Sequence, residues 1–486
     1  SDPDLWPDGN VPPDSSNVTI NNALVSLDSD KVFGTLSITG GSVIQFNGYT
    51  ITILDQLLNN NSPSAIDAGT STVILKSTVA DGGSGQVTVG GSANVTLYNV
   101  EIADGSVVDF DSGGTGNTET FITNQLKMGG GSVVVNPPNY GGASTLLYDA
   151  TYASIGTEWT AGASSGKGVP HHVTVGGSGS LSFADTTGNF TCTGDFTMLD
   201  ASGSLNLSNM VGNLTITGDF ETGTNGAVTV TMPSTEGKGT LTVGGNISLG
   251  GYTSWTGDEG KVVVGGDFYS AISGSTSLAM LKFNGGATQD VTGEGNKIVV
   301  DSLVVDNDRD ANAATADVHF TTLNVDIAPG GAFNPVDGTT LIGNTFTMKS
   351  DATGTARIAT LANDGGTSNV VGDITFERYV PAVTDGVSWL AVGNYVNGAT
   401  RADWTSSFGS DYHLVLDWDE TATLPTFASE AANSPWQPVT NAGDALHSDG
   451  EGYLVFTVAN SSPTLSATGT YNATQQDLTG LTVSNG

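Results

Sequence analysis

Positive charge, cysteine and long apolar runs are all scarce in this sequence, and each shortage removes a class of protein. Only 13 Lys and Arg stand against 49 Asp and Glu, a formal net charge of -36. Such a surface repels polyanions, which sets aside nucleic acid and anionic membrane surfaces as partners. The single cysteine, Cys192, has no second thiol with which to close an intramolecular disulfide, so packing must hold the fold. No stretch approaches the roughly 18 consecutive apolar residues of a membrane-spanning helix. Aromatic residues make up 7% of the chain while 67 of its 486 residues are glycine. Helix formers are few against Val, Thr, Ser, Gly and Asn, a bias that favours an all-β chain with many tight turns.

What is present is a repeat. Phe190-Thr-Cys192-Thr-Gly-Asp-Phe196, Leu214-Thr-Ile216-Thr-Gly-Asp-Phe220, Leu241-Thr-Val243-Gly-Gly-Asn-Ile247 and Val262-Val-Val264-Gly-Gly-Asp-Phe268 share one wording, and their first residues lie 24, 27 and 21 positions apart. A period near two dozen residues, carrying short alternating strands and Gly-Asp or Gly-Asn at a fixed offset, is that of a solenoid. Stacked coils would set Leu214, Leu241 and Val262 above one another, with Cys192 in the column of Ile216, Val243 and Val264. The expected fold class is therefore all-β, a right-handed parallel β-helix in two blocks followed by a C-terminal β-sandwich-like domain.

The blocks follow from the rhythm. Residues 1–16 are turn-rich, with Trp6 placed to cover the first coil, and serve as an N-terminal cap. Residues 17–135 form the first coil block, where Val87-Thr-Val89-Gly-Gly repeats the central wording. Residues 136–169 are an irregular connection containing Asn136-Pro-Pro138, Leu146-Leu-Tyr148 and Trp159. Residues 170–370 form the second block, which restarts at Gly168-Val-Pro170-His171-His172 as the first does after Val11-Pro12. The two blocks make one continuous stack or two stacks with a joint. Residues 371–486 hold four of the seven tryptophans, Trp389, Trp404, Trp418 and Trp436, and read as an aromatic-rich β domain.

Several of these phrases carry a resemblance. Ser144-Thr-Leu-Leu-Tyr148, Glu158-Trp159, Gly168-Val-Pro170, the Thr-Val-Gly-Gly-Asn coils, Phe283-Asn-Gly-Gly-Ala-Thr-Gln289-Asp-Val-Thr-Gly293 and Ile374-Thr-Phe-Glu-Arg378-Tyr379-Val-Pro381 resemble the large secreted β-helical repeat proteins of Bacteroidetes exported by the type IX route. The resemblance runs from about Ser144 to the end, without the C-terminal sorting domain common in that group. It implies an extracellular or cell-surface location and a structural or adhesive role.

Candidate sites are sparse. Asp306, Asp308, Asp310 and Asn312 place oxygen donors at alternate positions, a pattern suited to one hard cation such as calcium, although Arg309 would compete with it. The bland alternative is a solvated acidic turn. His171 and His172, if both in one strand, would point to opposite faces and hold no metal together. Asp417-Trp418-Asp419-Glu420 sets carboxylates beside an aromatic, as in sugar-processing sites, and is equally a strand running into an acidic loop. No phosphate-binding loop or Cys/His cluster occurs in the sequence.

The expectation is a non-enzymatic structural or adhesive protein, an adhesin, filament or surface-layer subunit. The alternative is a polysaccharide-binding or polysaccharide-cleaving β-helix protein. β-helical lyases use Lys or Arg to neutralise a uronate, whereas the four arginines here, Arg309, Arg357, Arg378 and Arg401, lie outside the regular coils or near their end. Extracellular glycans are the expected ligands. Head-to-tail self-association is expected from an open β edge near the C-terminal run Thr464–Tyr471 and the polar extension Ser1 to Asp14.

Overall fold

Alternation of inward apolar and outward polar residues is the local rule of the coils, and the computed structural model shows what it builds. It describes residues 14–77, 85–111, 118–177, 179–199, 203–273, 275–294, 297–307, 317–335, 340–343, 346–359, 369–381, 388–394, 396–406, 413–418, 436–439, 441–446, 452–457 and 464–471. Short strands pair in parallel, coil on coil, in a β-solenoid of about 12 turns. The chain divides into two compact units, Ser1–Gly265 with Ser270–Ser273, and Gly266–Tyr269 with Gly274–Gly486.

In the first unit one interior column runs through both predicted coil blocks. Phe33, Ile53, Leu75, Ile102, Met128, Tyr148, Val175, Met198 and Thr222 are successive register partners. The strand Thr145–Tyr148 lies inside the segment read as an irregular connection, yet it pairs with Gln125–Met128 on one side and His172–Val175 on the other. The first of the two alternatives therefore holds within this unit, a single continuous stack. The rhythm is hidden in the sequence because Pro137, Pro138 and several glycines occupy the corners, and corners do not enter the ladder.

Each repeat phrase is one such corner flanked by two strands. Phe190–Cys192 and Phe196–Met198 lie in different sheets and are joined by Thr193-Gly194-Asp195. The corner is stapled to its neighbours by carboxylates. Asp195 Oδ1 accepts from the Asp219 amide at 3.0 Å, and Asp219 Oδ1 from the Asn246 amide at 2.6 Å. The glycines are needed for this close stacking. A Cβ on Gly218 would stand 2.2 Å from Asp195 Oδ1, and one on Gly245 2.2 Å from Asp219 Oδ1. The column Leu214, Leu241 and Val262 forms as expected, as does the column from Cys192 through Ile216 and Val243 to Val264.

The second unit continues the same construction and then changes it. Leu278, Val300, Ile327, Met348 and Phe376 form one interior column, and Leu281, Leu303, Phe333 and Ile358 another. The strand Asp373–Tyr379 pairs in parallel with Phe346–Met348 and, on its other side, antiparallel with Thr464–Tyr471. A parallel ladder left open would recruit other strands, and this return strand covers the last rung of that sheet. Beyond it Ser388–Gly393, Gly452–Thr457, His413–Trp418 and Trp436–Pro438 form a four-stranded antiparallel sheet. Val392, Val396, Trp404, Val415, Tyr453 and Leu465 are buried together in the core of this part.

Candidate functional site

Where the interior columns of the second unit run out, their last residues, Ile358 and Phe376, line a cavity of about 540 Å³. The short strand Arg357–Ile358 reaches it through its pairing with Ala332 and Phe333. Phe376 and Arg378 are two apart on Asp373–Tyr379 and so fall on the same side of that strand. The opposite wall comes from the C-terminal part. The five-residue helix Arg401–Thr405 brings in Trp404, and its first turn is closed by Asp403, whose carboxylate accepts from the Thr400 amide at 2.6 Å and its hydroxyl at 3.0 Å. Trp404 packs edge-on against Tyr453, ring centroids 5.3 Å apart. Tyr471 stacks on Phe376 with centroids 6.1 Å apart and planes 27° apart.

The polar groups of this cavity are unequal in their commitments. Arg378 donates to the Thr355 hydroxyl at 3.2 Å, whereas the exposed Arg357 side chain has no hydrogen-bond or carboxylate partner among the described residues. Glu377, the one acidic residue among the described residues of the lining, is paired with Lys349 at 2.5 Å. Asn394 is buried and satisfied, donating to the carbonyls of Val396 at 2.8 Å and Leu446 at 3.3 Å. The guanidiniums are therefore the groups left to meet a ligand.

The residues singled out in the sequence are placed differently. The Asp306 carboxylate is engaged by the Lys282 ammonium at 2.5 Å. Next to it Asn307 turns inward, donating to the Ala287 carbonyl at 3.4 Å. Asp308, Asp310 and Asn312 lie outside the described residues, as do Asp419 and Glu420. Among the described residues no group of three or more His, Cys, Asp or Glu is arranged to hold a metal. His171 and His172 do not diverge, because only His172 belongs to the strand and His171 sits in the preceding corner. Their rings meet edge to face at 4.3 Å. Burial, and then the neighbouring His172, push the His171 pKa down. His172 Nδ1 accepts from the Asp195 amide at 3.0 Å and so heads the corner ladder rather than a metal site.

One interior cluster escaped sequence reasoning. Glu158, 2% exposed, accepts from the Tyr148 hydroxyl at 2.8 Å and the Gly156 amide at 2.9 Å, and Trp159 Nε1 donates to the Tyr148 oxygen at 2.8 Å. Burial raises the pKa of Glu158 and, with the nearby carboxylate, that of Tyr148. Glu158-Trp159 was visible as a phrase, but nothing local in it says that the carboxylate points inward.

Fold and site together define a β-solenoid with an antiparallel C-terminal part and a cationic, aromatic-walled cavity at the end of its coils. Comparison with protein-family models, with characterised proteins and with solved structures finds no match to this chain.

Proposed function

We propose that this protein is an extracellular structural or adhesive component, a subunit of a filament or surface layer, akin to the secreted repeat proteins its wording resembles. The observation that carries the reading is the outer surface of the coils in the first unit. Thr191, Thr215 and Thr242 stand in register on one sheet, Thr174, Thr197, Glu221 and Ser248 on a second, and Ser204, Thr229 and Ser254 on a third. Ladders of small hydroxyls, interrupted at Glu221, repeat one surface from turn to turn, which suits lateral or glycan contact rather than a concave catalytic centre.

Calcium enters this proposal as a counter-ion to the acidic surface, since a cation at Asp306 would first have to displace Lys282. Electron microscopy of the native assembly tests the reading: filaments or a lattice are the expected result. Head-to-tail assembly would be lost on deleting Ser1 to Asp14, a segment that, but for Asp14, lies outside the described residues. Turnover on a panel of plant and marine polysaccharides would overturn the non-catalytic reading.

A further inference from the structure

The cavity of the second unit points to a ligand of definite chemistry. We infer that it binds an acidic saccharide unit, with Arg357 and Arg378 taking the anionic group and the Phe376–Tyr471 stack taking the ring. The inference deepens the adhesive reading by naming the ligand class, and rests on it only for the source of the glycan.

Charge gives the first argument. In a chain with four arginines and a formal charge of -36, two of the four line one cavity. Among the described residues of the lining the only acidic one, Glu377, is committed to Lys349. Guanidinium groups offer paired donors that match a carboxylate or sulfate edge, and an arginine left without a protein partner keeps all of its donors for a ligand.

Shape gives the second. A volume of about 540 Å³ lies within the roughly 300–1,000 Å³ of small-molecule sites and far exceeds what a lone carboxylate needs. The remaining space is walled by aromatic rings and by Ile358, Leu465 and Ala467. Flat apolar walls beside cations select a ligand that has both a ring face and a negative charge, which a neutral sugar or a free inorganic anion lacks. A carboxylate and a sulfate share this chemistry, so both kinds of acidic sugar belong to the proposal.

The cationic wall is also firmly built. Phe376 is paired on both sides of its strand, parallel to Met348 and antiparallel to Ala467, and Arg378 is paired antiparallel to Leu465. Asn394 ties the adjoining turn to Val396 and Leu446. The cationic wall therefore stands on paired strands, which keeps low the ordering cost of binding.

The test is isothermal titration of the full chain with a galacturonate trimer, its methyl ester and a sulfated trisaccharide. Binding of the trimer, or of the sulfated sugar, at least tenfold tighter than the ester is expected. Arg357→Gln should weaken that binding at least tenfold without moving the unfolding temperature, because its side chain has no partner among the described residues. Absence of heat with both acidic sugars, equal binding of the ester, or unchanged binding by Arg357→Gln would overturn the site. Cleavage of the trimer would sink the non-catalytic reading while supporting the site itself.

Discussion

Cys192 is fully buried in the column of Ile216 and Val243, and burial pushes its thiol up to about 12. A thiol that holds its proton is a poor nucleophile. Native protein is expected to resist an aromatic disulfide reagent at neutral pH and to react fully once unfolded by denaturant. Rapid labelling of the folded chain would contradict this packing. Glu158 is the opposite case, a charged residue placed inside. Its pKa is raised by burial, so the folded state holds the proton more tightly than the unfolded one. The stability this contributes is present below the unfolded pKa and lost as pH rises through the folded value. Glu158→Gln keeps an acceptor for the Tyr148 hydroxyl and removes the titration. Relative to the native chain it should gain stability as pH is raised from 4 to 8 in thermal melts. Glu158→Ala leaves Tyr148 and the Gly156 amide without their acceptor and should cost about 1–3 kcal/mol.

Between neighbouring coils the few lysines act as cross-braces. Lys127 lies 3.7 Å from both Glu101 and Asp149, Lys167 is 2.9 Å from Asp111, and Lys349 bridges Asp326 and Glu377. Lys297 also contacts Asp326, whose side chain is 6% exposed. Although burial alone would lower the Lys349 pKa, Glu377 and Asp326 outweigh it and the net direction is upward. Asp326→Ala would leave two ammonium groups without a shared carboxylate. The side chains of Lys297 and Lys349 remain 41% and 29% exposed and can rehydrate. The expected loss is therefore about 1–3 kcal/mol in chemical denaturation, below the ~3–5 of a fully buried pair. A loss unchanged in 1 M salt would show that packing rather than charge is responsible.

Across the whole molecule the formal charge of -36 is a standing repulsion that counter-ions relieve. Raising monovalent salt from 10 mM to 150 mM shortens the screening length from about 30 Å to about 8 Å and should raise the unfolding temperature. Calcium and magnesium at equal concentration should add similar further increments, since no group of acidic side chains among the described residues is arranged to hold either. A gain with calcium several degrees above that with magnesium would support a specific site around Asp306.

The alternating coils and the Gly-Asp corners were legible in the sequence because each depends on neighbours within a few residues, and the columns through Leu214 and Cys192 because one phrase recurs there and marks its own register. Strand alternation sets inside from outside, and the corner glycine leaves room for the carboxylate of the coil before. The shift to an aromatic-rich C-terminal part was legible from composition alone. Tertiary structure alone decided the rest. Corners of unequal length hide which residue stands over which, so the continuity through Thr145–Tyr148 and the Lys349 bridge appear only when the ladder register is known. The cavity needs more than register. Its walls join Arg357 and Phe376 to Tyr471, and that meeting depends on a strand that returns antiparallel, setting Thr468 against Thr375, 93 residues earlier in the chain. Pairings across such separations are set by the burial of a whole core, and no local phrase encodes them.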